Sequence, residues 1–277
     1  MTHLIKCLPT VITAVVLLFV SKVPLAAHEV WLDAPAFKVE LGAEFQANLR
    51  NGENFRGASL IYNPRSFTRF EHFDGKSSKA VEGRSGDRPA ATLTLSTPGL
   101  QALLYESTLS SLTYREWEKF LAFVAHKDFR NTAAEHKARG LPETGFVEAY
   151  SRHVKMLFCA QSCEGADKAH GLSTEIVALT NPYTPNLKQL PVQVLFENRP
   201  VPDRQVEIFA RAPDGEVTVS LARTDAQGIA QIQLEPGTTY LLDSVTLREP
   251  SAALFAEREA VWETLWAALT FQTPDAE

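Results

Sequence analysis

The stretch QVEIFARAPDGEVTVSLARTDAQGIAQIQLEPG, residues 205–237, decides the fold class. Three runs of alternating apolar and polar residues are separated by the turn sequences APDG and TDAQG. Alternation with a period of two is typical of strands with one buried face, and Gly and Asp favour the tight turns of hairpins. The stretch therefore predicts antiparallel β structure.

The same texture covers residues 171–277, with about seven short strands spaced as in an immunoglobulin-like β-sandwich. Residues 28–170 begin with similar short strand-like runs, interrupted by Gly, Pro and Asn up to about residue 110. We therefore predict a mainly β protein of two immunoglobulin-like β-sandwich domains, residues 28–170 and 171–277. A helical insertion is expected at about residues 111–150.

The insertion is predicted from the sequence SLTYREWEKFLAFVAHKDF, residues 111–129. Thr113 and Glu116 fit a capping box, and an apolar face follows at helical spacing. A second, shorter helix is expected in NTAAEHKARG, ending at Gly140. The apolar face of the first helix consists of Trp117, Phe120, Leu121 and Val124.

The tryptophans have core-like spacing. Trp262 and Trp266 lie in the apolar segment WETLWAALTF, and Trp117 opens WEKFLAF. This spacing predicts burial. An exposed platform for carbohydrate is the alternative.

Residues 1–27 have the organisation of a secretory signal peptide. Lys6 precedes an apolar block of about 14 residues, which is shorter than the roughly 20 needed to cross a bilayer. Pro24 and the pair Ala26-Ala27 then precede His28. The pattern favours export to the periplasm and cleavage after Ala27 over a membrane anchor.

The net charge indicates which partners the protein can bind. Removal of residues 1–27 takes away Lys6 and Lys22 and no acidic residue, so the net charge changes from −6 to −8. An acidic protein is not expected to bind nucleic acid or anionic membrane surfaces. We expect a soluble mature protein that can meet cations.

Cys159 and Cys163 stand four residues apart in CAQSC. In an oxidising compartment this spacing favours a disulfide with a small loop. A metal–thiolate pair is the alternative, although no second Cys or His pair with zinc-site spacing accompanies it.

His28 is the strongest candidate metal ligand. As the first residue of the mature chain it would offer its α-amine and Nδ1 together, and imidazole suits copper, nickel and cobalt. One more imidazole would complete a copper site of the histidine-brace type. The alternative is an ordinary residue at the edge of a strand.

The further candidates are His136, His126 and His153, which all lie in or near the predicted helical insertion and could converge on one ion. No HxxxH or HxH pair supports chelation locally. Surface or capping roles are the alternative reading.

Several blocks together resemble a known family. They are AHEVWLDAP, TYREWEKFLAFV, HKARGLPETGFVEAYSRHVK, TEIVALTNPY, RTDAQGIAQIQLEPGTTYLLD and WETLWAALTF. In this order they resemble a bacterial family of exported domains of unknown function, often labelled a periplasmic component of cobalt or nickel uptake systems. The resemblance implies a β-sandwich with a role around transition metal and a membrane metal transporter as partner. His28 matches the family's histidine after the signal sequence.

No enzyme motif is present: the chain has no GxSxG, HExxH or phosphate-binding glycine loop. We therefore expect a periplasmic protein without catalysis that binds a divalent ion (Ni, Co or Cu) as an accessory to nickel or cobalt uptake. A structural or ligand-binding sandwich without metal is the alternative. A copper-dependent oxidative enzyme built on a histidine brace ranks third.

Overall fold

The computed structural model describes residues 28–276, so the predicted signal peptide lies outside the described residues. Strands make up 49% and helices 10%, which confirms the mainly β architecture. The strands are β1 (Glu29–Asp33), β2 (Lys38–Val39), β3 (Glu44–Glu53), β4 (Arg56–Leu60), β5 (Phe67–Phe73), β6 (Ser78–Ala80), β7 (Ala91–Thr94), β8 (Gly99–Ser107), β9 (Ser110–Tyr114), β10 (Phe146–Ala160), β11 (Thr174–Ala178), β12 (Gln189–Phe196), β13 (Arg199–Pro200), β14 (Gln205–Arg211), β15 (Val217–Arg223), β16 (Ile229–Gln233), β17 (Thr239–Arg248) and β18 (Ala260–Gln272). The helices are α1 (Trp117–His126), α2 (Thr132–Ala138) and α3 (Ala252–Arg258).

A ten-stranded sheet runs through both halves of the chain, in the order β15-β14-β17-β18-β10-β8-β5-β6. Strands β2 and β9 also pair with β10. At the centre, β10 and β18 pair in parallel, in continuous register from Glu148↔Trp262 to Met156↔Thr270. Both strands are buried along nearly their whole length, as expected for a parallel pair covered on both faces. The predicted halves therefore share one sheet, and residue 170 lies in the loop after β10.

Two four-stranded sheets complete the architecture. One has the order β1-β3-β4, with β7 on β3, and the other has the order β11-β12-β13, with β16 on β12. Apolar side chains of all three sheets belong to one continuous core. Within it, the rings of Phe45 on β3 and Phe158 on β10 stack at 4.0 Å between centroids. This core holds the sheets together without any helix between them.

Of the two predicted hairpin turns, the structure contains the first and not the second. APDG joins β14 to β15 in an antiparallel pair, as predicted. TDAQG does not form a hairpin between neighbours, because β16 pairs with β12 in another sheet. Gly228 closes this second turn at φ +72°, and a Cβ there would lie 2.9 Å from the backbone nitrogen of Val201. The close approach of the two chain segments, rather than pairing of β15 with β16, explains the glycine.

The helical insertion is present, but the predicted capping box is wrong. Thr113 lies in β9, where it pairs with Val147 of β10, so it is extended and cannot cap a helix. Helix α1 begins at Trp117 instead, with Glu116 as a cap that makes no side-chain hydrogen bond. Helix α2 ends before Gly140, whose φ of +66° confirms the predicted C-terminal glycine.

The helices pack on aromatic residues of the sheet. Trp262 and Trp266 on β18 are buried together with Phe120, Phe123 and Val124 of α1, which confirms the predicted burial of both tryptophans. Trp117 is partly buried against the same group. The helical face is rotated slightly from the prediction, since Phe123 is buried and Leu121 only half-buried. Among residues 28–276, no helix is long and apolar enough to cross a membrane.

The end of β10 is tied to the loop that follows. The predicted disulfide is confirmed, joining Cys159 to Cys163 with 4.9 Å between their Cα atoms. On the same strand, the ammonium group of Lys155 is fully buried between Asp167 (2.8 Å) and Glu175 (2.9 Å). Lys155 lowers the pKa of the Asp167 carboxyl although burial opposes its ionisation. The lysine thus forms ion pairs with two buried acids beside the central strand.

We expect Lys155→Met to destabilise the protein by about 3–5 kcal/mol, because it leaves two buried carboxylates without their cation. Urea unfolding would measure the loss. Lys119→Met is the control, since its ion pair with Glu116 is exposed and such pairs contribute about 1 kcal/mol or less. Adding Asp167→Asn and Glu175→Gln to Lys155→Met should restore stability. Equal small losses for both lysines would contradict this role.

Candidate functional site

His28 is exposed at one edge of the β1-β3-β4 sheet. Its side chain is 62% exposed, and its Nε2 lies 3.5 Å from Oε1 of Glu53. The residue lies at the rim of a groove of about 930 Å³ formed with the β3–β4 hairpin and the start of β15. His28 is therefore accessible to a ligand from solvent and has one carboxylate beside its ring.

The β3–β4 hairpin holds Glu53 in this place. Gly52 and Gly57 face each other across the hairpin so closely that a Cβ on Gly52 would lie 2.1 Å from a backbone oxygen. Asn54 has a φ of +51°, so the chain reverses tightly just after Glu53. Because Glu29 of β1 pairs with Gly52, extending the antiparallel register by one residue brings His28 opposite Glu53. Backbone pairing thus fixes the neighbourhood of the two side chains.

His136 is completely buried, and both of its ring nitrogens have partners. The indole Nε1 of Trp262 donates to Nδ1 at 2.9 Å, and Nε2 donates to the carbonyl oxygen of Pro142 at 2.9 Å. The partners fix the tautomer, because an indole N–H can only donate and a carbonyl can only accept. In this arrangement the ring joins α2 to β18 and has no nitrogen free for an ion.

His126 and His153 have separate surroundings. Nε2 of His126 lies 2.8 Å from Oε1 of Glu207 at the end of α1. His153 is buried on β10, where its Nε2 lies 2.9 Å from Oγ of Ser151 and its Nδ1 lies 3.7 Å from Glu106. Burial lowers the pKa of His153 to about 4, so the ring is neutral at pH 7.

The four histidines predicted as ligands therefore contact four different sets of partners. Within residues 28–276, no group of three or more His, Cys, Asp or Glu residues is arranged to hold a metal ion. His28 differs from the other three in combining high exposure with a nearby groove. It is the histidine that an incoming ion can reach most easily.

A buried group of charges is the feature that sequence reasoning missed. The ammonium of Lys127, just after α1, contacts Glu207 of β14 and lies 2.9 Å from Asp243 of β17. It also lies 4.7 Å from the ring centre of Trp266. We call Lys127, Glu207, Asp243 and the neighbouring Glu29 the Lys127 cluster. The sequence signal for this cluster is a single acid inside each of two apolar runs, Glu207 in QVEIFAR and Asp243 in YLLDSVTL.

The acids of the Lys127 cluster have different pKa values. Burial raises the pKa of Glu29 to about 8, with a further contribution from Asp243. Burial also raises the pKa of Asp243, whereas hydrogen bonding by His126 and Lys127 overcomes burial and lowers the pKa of Glu207. Glu207 is therefore the ionised partner of Lys127, and Glu29 is mostly neutral at pH 7.

A second cavity, of about 370 Å³, opens between the β1-β3-β4 sheet, β9 and β10. His28 lies at its edge, and Arg152 of β10 and Trp266 of β18 form part of its wall. Glu148, also in the wall, accepts hydrogen bonds from Tyr114 (2.9 Å) and Thr264. We call this space the Arg152 cavity.

The raised pKa of Glu29 predicts a loss of stability with rising pH. The unfolded chain ionises this acid near pH 4.5, and the folded protein only near pH 8, so folding becomes less favourable across that interval. Glu29→Gln should remove the decline, gaining on the order of 4 kcal/mol relative to the parent between pH 5 and pH 9. Chemical denaturation at several pH values would measure it. The exposed Glu44→Gln is the control, and parallel curves for the parent and Glu29→Gln would contradict the assignment.

Comparison with known proteins gives a family and distant structural matches. No curated protein matches the chain. A solved structure described as "tetra-tandem repeat in extending region of large adhesion protein" is 9% identical, with a TM-score of 0.22. The match covers 89% of this chain and 49% of that structure, so the chain spans about half its length.

The family match covers most of the chain. Residues 25–247 fit the model described as "Domain of unknown function (DUF4198)", which includes His28, the helical insertion and the strands up to β17. The predicted membership of a family of unknown function is confirmed at this level, and the chain belongs to the DUF4198 family.

Proposed function

We propose that the protein is an exported, periplasmic metal-binding protein that holds a divalent transition-metal ion at His28. The observation that carries the proposal is the exposed imidazole of His28 with Glu53 at 3.5 Å from its Nε2. Histidines that bind metal commonly direct their second ring nitrogen to a carboxylate, which orients the ring. Glu53 is placed for that supporting role.

Cleavage after Ala27 would add the second donor. The new α-amine of His28 and its Nδ1 can then chelate one ion, while Nε2 remains directed to Glu53. Groups at the groove rim and water would fill the remaining coordination positions. The chelate depends on the chain beginning at His28, so the metal site would exist in the mature protein and not in its precursor.

Nitrogen donors of this kind bind copper(II) most tightly and nickel(II) and cobalt(II) less tightly. The net charge of −8 expected after cleavage favours the approach of cations. A role as accessory to nickel or cobalt uptake, with a membrane metal transporter as partner, is the biological form of the proposal. In this role the protein carries an ion and catalyses no reaction.

A ligand-binding module without metal is the second candidate. The Arg152 cavity favours it, because it is a partly enclosed space with a charged group in its wall. A copper-dependent oxidative enzyme is the weakest candidate. The second imidazole that it needs is not supplied by His126, His136 or His153 in the arrangement described here.

Metal titration of the mature chain tests the proposal. We expect Cu(II) to bind with one equivalent at His28, with Ni(II) and Co(II) weaker. His28→Ala should abolish this site, and one extra alanine before His28 should weaken it strongly by removing the amine chelate. Calorimetry with Cu(II), Ni(II) and Co(II) measures the affinities, and the intact mass establishes where the chain begins.

Glu53→Gln should weaken metal binding about 10-fold or more, as the loss of a supporting carboxylate does in other sites. Glu44→Gln, an exposed acid at the other end of β3, is the matched control and should leave the affinity unchanged. His126→Ala should also leave it unchanged. If His28→Ala binds all three metals as tightly as the parent, the proposed function is wrong.

A further inference from the structure

Arg152 has an unusual environment for a charged residue. Its guanidinium carbon lies 4.0 Å from the ring centre of Trp266 and 5.4 Å from that of Tyr150. Within residues 28–276, no carboxylate lies within 4 Å of its nitrogens, and its Nη1 is buried without a hydrogen-bond partner. Burial lowers the pKa of Arg152, although a guanidinium remains charged at neutral pH. Arg152 is half-buried, and the part of its guanidinium that is shut off from water has no hydrogen-bond partner, so an anion beside it would be stabilised.

The position of Arg152 follows from the strand register. Glu148, Tyr150 and Arg152 alternate along β10, so their side chains share one face of the strand. Arg152 is also paired with Trp266 across the parallel ladder. The register thus places the guanidinium of Arg152 against the ring of Trp266 in the wall of the Arg152 cavity.

The cavity has the size and lining of a site for a small molecule. Its volume of about 370 Å³ lies at the lower end of the range for small-molecule sites, which is about 300–1,000 Å³. Apolar walls come from Val30, Leu60 and Phe123, and hydroxyl groups come from Ser107 and Tyr105. A space with an apolar wall, several hydroxyl groups and one arginine fits an organic acid.

We propose that the Arg152 cavity binds a small organic monocarboxylate with an apolar body. Arg152 receives the carboxylate and can hold it through two parallel N–H···O hydrogen bonds. The apolar body lies against the aromatic and aliphatic wall. Binding of the acid at Arg152 requires no ion, although His28 lies at the edge of the same cavity.

Glu148 in the same wall does not oppose an anion as a free carboxylate would. Burial raises its pKa, whereas the hydrogen bonds from Thr264 and Tyr114 and the charge of Arg152 act to lower it. Both of its oxygens already accept hydrogen bonds, from Tyr114 and Thr264. Asp243, Glu148 and Glu29 act on Arg152 through space, and none of these described residues forms an ion pair with it. Arg152 is therefore the charged group in the cavity available to a ligand.

Calorimetry on the metal-free full mature chain, with chelator present, tests the site. The probes are hexanoate, benzoate and 3-phenylpropionate, each compared with its neutral amide. We expect at least one acid to bind about 10-fold more tightly than its amide. Arg152→Gln should weaken that binding at least about 10-fold, as the loss of a charged hydrogen bond does.

Arg204→Gln is the matched control. Arg204 also lies over an aromatic ring, 5.6 Å from Phe129, and has no carboxylate partner among the described residues, but it lies outside the cavity lining. Its variant should bind the acid unchanged. Leu112→Trp is a second variant, because Leu112 is exposed at the cavity rim and a larger ring there would block entry without disturbing the core.

The outcomes are distinct. Loss of acid binding in Leu112→Trp, with stability unchanged, supports the site even if Arg152→Gln does not fold. Failure of all three acids to bind, or equal binding by an acid and its amide, overturns the proposal. Unchanged affinity in folded Arg152→Gln also overturns it. Binding that is lost in His28→Ala but kept in Arg152→Gln would assign the ligand to His28 instead.

Discussion

The parallel pairing of β10 with β18 holds the two halves of the chain together. It joins a strand from the first half of the chain to the last strand, far apart in sequence, and makes one sheet of both halves. The first part of each strand packs against the helices, and the later part enters the main core. Lys155 on β10 is the cation of one buried charge group, and Trp266 on β18 contacts Lys127 of the other. Arg152 and Trp266 also line the Arg152 cavity.

The buried charged side chains are tolerated because they are paired with one another. Lys127 and Lys155 are each buried between two carboxylates, so the acids that could otherwise attract a metal ion already have an internal cation. His136 is likewise engaged through both nitrogens. Within residues 28–276, His28 with Glu53 at the sheet edge and the half-buried Arg152 remain accessible to ligands, the first assigned to a metal ion and the second to an organic acid.

The mainly β class, the helical insertion, the disulfide and the burial of Trp262 could be predicted, because period, turn residues and Cys spacing are local signals. The pairing of β10 with β18 could not, since it depends on contacts more than a hundred residues apart in the chain. The partners of Lys127 and the tautomer of His136 could not be predicted either, because they also depend on residues far away in the sequence. The capping box predicted at Thr113 was wrong because the same residues can also form a strand when a neighbouring strand pairs with them.

The central claim is that His28, rather than any buried histidine or acid, is where a metal ion binds. Anomalous diffraction from crystals of the mature protein grown with stoichiometric Cu(II) or Ni(II) tests it most directly. If His28 is the metal site, one strong peak lies within bonding distance of the α-amine and Nδ1 of His28, with Glu53 beside Nε2. A peak at His136, at His153 or within the Lys127 cluster, with none at His28, would contradict it.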